Sequence, residues 1–248
     1  MWSICKKELR QFFSSLTGYI AIIVFLLVNG LMLFVFDNNI LDFGYASLDR
    51  FFELAPWILL LLIPAITMRS FAEEFDTGTF EILQTRPLSH WQITGGKYLG
   101  SLIVVIIALI PTIVYYFSIQ SLTSTEGIDT KTTIEGIDTG ATIGAYIGLF
   151  FLAAVFTSIG ICVSSFTSNT VVSFIIALIA CALLYYGFSA ISRLPGLAGG
   201  ADYYIEMAGI DFHYRSISRG VIDTRDVIYF LSVIFLFLTI ANRNLLKR

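Results

Sequence analysis

Apolar residues run in six stretches, each near the length a helix needs to cross a bilayer. They cover about 17–36, 51–68, 97–119, 143–165, 170–191 and 227–246. A hydrocarbon core of about 30 Å takes roughly 20 residues at 1.5 Å each. The pattern therefore predicts an all-α integral membrane protein with six spanning helices. Pro56 and Pro64 interrupt the second stretch and Pro111 the third. In a membrane these predict kinks rather than breaks, because neighbouring helices satisfy the freed carbonyls. The sixth stretch is short in apolar content, and Arg243 is expected to reach back to the interface.

Two polar segments carry a pattern of their own. In residues 2–16, Trp2, Cys5, Leu9, Phe12 and Leu16 recur at steps of three and four, and Phe13 widens the stripe. Lys6, Lys7, Arg10 and Gln11 lie away from it. Such an amphipathic helix lies in the headgroup plane, with a short helix packed on the protein's own surface as the alternative. The second segment, RSFAEEFDTGTFEILQTRPLSHWQITGGKYLG at 69–100, separates the second and third stretches. Ser70 with Glu73 matches a capping box, Gly78 suits a helix end, and Pro87 stops a second short helix at Arg86. Ser89 with Gln92 forms another capping box, flanked by Leu88 and Ile93 at the staple positions. The result is a helical bracket that offers Phe71, Phe75, Phe80, Ile82 and Leu83 as grip. Glu73, Glu74, Asp76 and Glu81 supply polar register. So many large apolar groups suit a docking surface better than a solvated loop.

Two further loops differ from one another. EGIDT occurs at 126–130 and again at 135–139, a short duplication without the dense oxygen spacing of a calcium loop. Residues 192–226 are rich in glycine and aromatics. There Tyr203, Tyr204, Ile205, Met207 and Ile210 predict a short interfacial or re-entrant helix before the last span.

Composition agrees with the spans: 56% of residues are hydrophobic and 13% charged, against about 25% charged in soluble domains. A net charge of −3 gives no basic patch for nucleic acid. Cys5, Cys162 and Cys181 form no CxxC pair and suggest neither a disulfide framework nor a metal site. The first stretch is too long for a signal h-region and no A-x-A site follows it, so it reads as an uncleaved anchor. With the N-terminus inside, Lys6, Lys7, Arg10, Arg69, Arg86, Lys97, Arg243, Lys247 and Arg248 fall on the cytoplasmic side. Arg50, Lys131, Arg193, Arg215, Arg219 and Arg225 fall outside. The bias is clearest around the first span and favours both termini in the cytoplasm.

Catalytic constellations are not evident. His90 and His213 both lie outside the stretches, so GFSA at 187–190 has no histidine to activate Ser189. GGKY at 95–98 lacks the upstream glycine and the Ser or Thr after Lys97 that a phosphate loop needs. No cofactor is implied. No acidic, basic or histidine side chain lies deep within any stretch, so proton coupling has no obvious carrier. Energy is expected from another chain.

The run EEFDTGTFEILQTRPLS at 73–89 resembles the cytosolic loop of type-2 ABC exporter permeases, with its acidic pair, Gly-Thr, Glu, Leu, then Pro and Ser. The likeness extends over the elbow helix at 2–16, the six spans and SRGVIDTRDVIYF at 218–230. More narrowly, FFSSLTGYIAI, LAPWILLLLIPAITMRSF and SNTVVSFIIAL look like the gliding-motility-associated permease subunits of Bacteroidetes. A copper-site maturation permease of nitrous-oxide reductase shares the general pattern less closely. The resemblance implies a permease of the bacterial inner membrane that is not itself an enzyme. It implies separate ATP-binding subunits and a second transmembrane subunit, either a copy of this chain or an accessory gliding-type subunit with an extracytoplasmic domain. Phe71, Glu73, Glu74, Phe75, Thr77, Gly78, Thr79, Phe80, Glu81, Leu83, Arg86 and Pro87 would form the ATPase-coupling interface. Trp2, Lys6, Lys7, Leu9, Arg10, Phe12 and Phe13 would form the elbow against membrane lipids. The competing reading is a non-ABC channel or secondary carrier, for which Asn29, Ser158, Ser164 and Ser173 supply only a thin polar stripe.

Overall fold

A computed structural model describes residues 1–36, 48–85, 87–125, 138–194 and 201–247. The regular elements among them are all helical. In chain order they are α1 (Trp2–Ser14), α2 (Leu16–Phe34), α3 (Asp49–Thr67), α4 (Arg69–Asp76), α5 (Thr79–Gln84), α6 (His90–Leu109), α7 (Ile113–Thr125), α8 (Thr139–Phe166), α9 (Thr170–Ala182), α10 (Phe188–Ser192), α11 (Ala201–Met207), α12 (Ile210–Ser218) and α13 (Thr224–Leu245). Five helical runs are long and apolar enough to cross a membrane, and the bent pair α1–α2 makes up to six. Each of the five runs overlaps one apolar stretch, and the first stretch overlaps the bent pair.

Helix α8 is the axis of the bundle. It packs against α3, α4, α6, α9, α12 and α13. Its sequence explains why: Gly148, Ala153, Ala154, Ser158 and Gly160 keep its surface small, so neighbouring backbones approach closely. Leu149, Leu152, Phe156 and Ile159 fill the space between. The outer helices instead expose apolar faces, with Ile20, Ile23 and Leu27 on α2 and Val171, Ile175 and Ile179 on α9. Such faces suit lipid, where no hydrophobic force drives them inward.

Two prolines alter the local hydrogen bonding of their helices. Pro56 has no N–H to give the Phe52 carbonyl one turn earlier. That carbonyl instead accepts from the buried Tyr214 hydroxyl of α12 at 2.7 Å. Pro111 sits in a 3-10 turn, Ile110–Thr112, joining α6 to α7. A π-helical turn, Leu183–Gly187, links α9 to α10.

One end of the bundle is closed by α11 and α12, two short helices where the sequence predicts one before the last span. His213 ties them to α13: Nδ1 lies 2.7 Å from Asp226 Oδ1, Nε2 lies 2.9 Å from the Met207 carbonyl, and the ring stacks on Tyr229. The first EGIDT copy lies outside the described residues. In the second, Asp138 caps α8 by accepting from the Gly140 and Ala141 amides. The opposite end holds α1, α4, α5 and the first turns of α6.

Candidate functional site

Helix α4 continues α3 with only Met68 between them. The predicted Ser70–Glu73 capping box does not form, because Ser70 is already inside the helical run and its side chain makes no cap. Ser164 of α8 does that work instead. Its hydroxyl accepts from the Phe71 and Ala72 amides at 3.0 and 3.1 Å and donates to the Met68 carbonyl at 3.2 Å. The bracket is thereby fastened to the central helix. The second predicted box is present, with Ser89 and Gln92 capping α6 reciprocally.

Between α4 and α5 the chain reverses at Thr77–Gly78. Gly78 has φ +68°, the left-handed conformation that glycine adopts without strain. Thr77 Oγ1 donates to the Glu73 carbonyl and pairs with Thr79 Oγ1. The hairpin folds back on an apolar cluster of its own: Ile4, Phe71, Phe80, Ile93, Ile161 and Leu245 are buried together, with Phe75 and Leu83 packed against them. Phe75 meets Phe80 edge to face at 4.9 Å between centroids.

This burial changes the roles that the sequence suggests. Phe71 and Phe80 are internal to the chain, and so is Glu74, at 5% exposure. Their apolar or ionic partners come from α1, α6 and α8, so they are not open to another protein. The outward side of the hairpin carries Asp76, Thr77, Gly78, Thr79, Glu81, Ile82, Gln84, Thr85 and Pro87. Ile82 is the prominent apolar group, 65% exposed. Glu73, Phe75 and Leu83 lie between the two sides, and Arg86 lies outside the described residues.

Beneath the hairpin lies an ion cluster. Lys97 of α6 is fully buried. Its ammonium sits 2.8 Å from Glu8 Oε1 of α1, 3.0 Å from Glu74 Oε1 of α4, and donates to the Ser70 carbonyl. The ammonium thus hydrogen-bonds to Glu8 and to the Ser70 carbonyl and pairs ionically with Glu74. The Phe71 ring lies 4.8 Å away and adds a cation–π contact. Lys7 reaches the same Glu74 oxygen at 2.5 Å, and Gln11 donates to Glu73 at 3.4 Å. Two cations and two carboxylates balance. Breaking such a buried set by removing one member costs about 3–5 kcal/mol, because a charge is left unpaired.

The elbow helix reaches this cluster through small residues. A Cβ on Gly96 would stand 2.9 Å from Ile4 Cβ, and one on Gly100 would stand 2.8 Å from Glu8 Cβ. Gly96 and Gly100 are four apart, one face of α6, and that face admits α1 closely. Ile4 and Cys5 are buried there, and Leu9, Phe12 and Phe13 are half-buried. Burial and the neighbouring Glu8 push the Cys5 thiol above its ordinary range. Trp2, Lys6 and Arg10 stay exposed, and Lys6 lies over the Trp2 ring. Helix α1 therefore packs on the protein's own surface along one side and leaves another free. It meets α2 at 74°.

A family model described as ABC-2 family transporter protein matches residues 2–201. The chain belongs to the ABC-2 transporter family. No curated protein matches it. It is thus a multi-span permease subunit, itself not catalytic, of a family whose permeases work with ATP-binding subunits. The channel or carrier reading gives way to this membership. The ABC-2 permease places every interface residue expected from its sequence and described here in or beside one hairpin, but divides them between inner and outer sides. Lys97, Glu8 and Ser164 were missed as parts of the site. The signal for Lys97 was its position between Gly96 and Gly100, a charge on a face made for close packing.

Proposed function

We propose that the α4–α5 hairpin is the dock for the ATP-binding subunit, and that the Lys97 cluster passes its movement to the membrane helices. The observation that carries this reading is the union of an exposed tip with a buried ionic base. The tip gives a partner Ile82 to seat and Asp76 and Glu81 to orient. The base locks α1, α4 and α6 together, so displacement of the tip moves three elements as one. Both termini and the hairpin are then cytoplasmic, as the lysine and arginine bias around the first span favours, in a bacterial inner membrane. A second transmembrane subunit completes the transporter.

Within the family we assign the chain to the gliding-motility permeases of Bacteroidetes. The support is the likeness of residues 12–22, 54–71 and 168–178. Deleting the gene while leaving its neighbours intact should abolish gliding; normal spreading by the deletion strain would remove this assignment.

Docking is tested by co-purification of the two subunits from detergent. Ile82→Ala is expected to weaken association by about 1–3 kcal/mol, the usual range for an apolar anchor. Glu81→Lys should weaken it with altered salt dependence. Retention of the ATP-binding subunit at full stoichiometry by both variants would make the hairpin a linker only.

A further inference from the structure

We infer that the permease holds one anionic phospholipid in a slot between α2 and α3, with its headgroup at Arg69. The slot has a volume of about 370 Å³. Its apolar walls are Ile20, Ala21 and Val24 of α2 and Ile58, Leu61 and Ala65 of α3. From Ile58 to Arg69 the helical rise gives a length of roughly 16 Å. That suits most of an acyl chain.

The sequence makes this slot in two ways. Gly18 lets α2 leave α1 at close range: a Cβ there would lie 2.6 Å from the Phe12 carbonyl oxygen. The 74° bend then carries α1 away from the α2 axis and leaves room inside the corner. Ala21 and Ala65 keep the opposing walls short. Ile20, Val24 and Leu61 are exposed, so the slot opens sideways, toward where lipid surrounds a spanning bundle.

Polarity is confined to one end. Glu8, Gln11, Ser15, Arg69 and Ser70 line it there. The Glu8 carboxylate is taken by Lys97 and the Ser70 carbonyl also accepts from Lys97. Arg69 is exposed, its guanidinium 3.5 Å from the Ser15 hydroxyl, and among the described residues no carboxylate pairs with it. An apolar channel ending at a cation complements a single chain ending in a phosphate. A neutral helix from another chain would leave that cation unanswered.

The test uses the full chain reconstituted in nanodiscs of phosphatidylcholine with a minor share of phosphatidylglycerol, and native mass spectrometry after mild extraction. The intact protein is expected to retain one phosphatidylglycerol in preference to phosphatidylcholine. Arg69→Gln should lower that preference about fivefold, the effect of one basic residue at a lipid surface, without loss of fold. Ala65→Phe fills the slot and should abolish retention of both lipids. If Ala65→Phe misfolds, Arg69→Gln decides alone. Inorganic phosphate at the same concentration should not compete; if it displaces the lipid, the site is a free-anion site and the proposal fails. Equal retention of the two lipids by the wild type, or an unchanged preference in Arg69→Gln, overturns it. So does a disulfide formed between chains by Val24→Cys and Leu61→Cys in native membranes, which would mean that protein covers the slot.

Discussion

At Gly78 the backbone alone decides the residue. Its φ of +68° is unfavourable for any side chain with a Cβ, yet a Cβ there would meet nothing within 4 Å. Steric crowding is therefore absent and the conformational term can be read directly. Gly78→Ala should destabilise the hairpin by about 1–2 kcal/mol, and Gly78→Asn by less, since Asn visits this region more readily. Hydrogen exchange of the 71–85 amides in the purified chain measures it. Exchange in Gly78→Ala unchanged from wild type would mean that the turn is not held in this conformation. This position was legible in the sequence, because a glycine between two threonines and two short apolar runs reads as a turn. Ser164 was not legible. It lies 93 residues from Phe71, and nothing local marks a serine in an apolar stretch as the cap of another helix.

Among the elements, α1, α4 and α6 meet at Lys97, and the strength of that junction is open to measurement. Lys97→Met leaves Glu8 and Glu74 facing each other with only the half-exposed Lys7 nearby. It should lower stability by about 3–5 kcal/mol. Adding Glu74→Leu removes one of the stranded carboxylates, so the double variant should recover part of the loss. Thermal unfolding in detergent reads both. Simple additivity of the two changes would show that the groups are energetically separate. The same junction explains why the site was only half readable. The local pattern of capping and turn residues identified the hairpin and its apolar residues. It did not say which side those residues face. An exposed anchor and a buried one have the same sequence, and here α1 arrives from 67 residues away to cover Glu74. Phe80 consequently serves the cluster it packs in, whereas the exposed Ile82 is the group left for a partner.

For the molecule as a whole, the spans were the most readable feature, since length and hydropathy alone determine what a bilayer accepts. Their neighbours were not: that α8 forms the axis depends on small residues whose partners lie far along the chain. Which end faces the cytoplasm is a question of charge, and the chain is well suited to answer it by labelling. Its own cysteines are all buried. Cys5, the one closest to an end, is further quieted because burial raises its thiol and disfavours the reactive thiolate. Introduced cysteines therefore stand against a silent background. Tyr204 on α11 is 75% exposed, and Ile82 on α5 is 65% exposed at the other end of the bundle. With the hairpin cytoplasmic, Tyr204→Cys should react with an impermeant maleimide on intact cells, and Ile82→Cys only after permeabilisation. The opposite pattern would turn the permease over and put the hairpin out of reach of any ATP-binding subunit. Labelling of both on intact cells would mean that the bundle does not separate these two ends across the membrane.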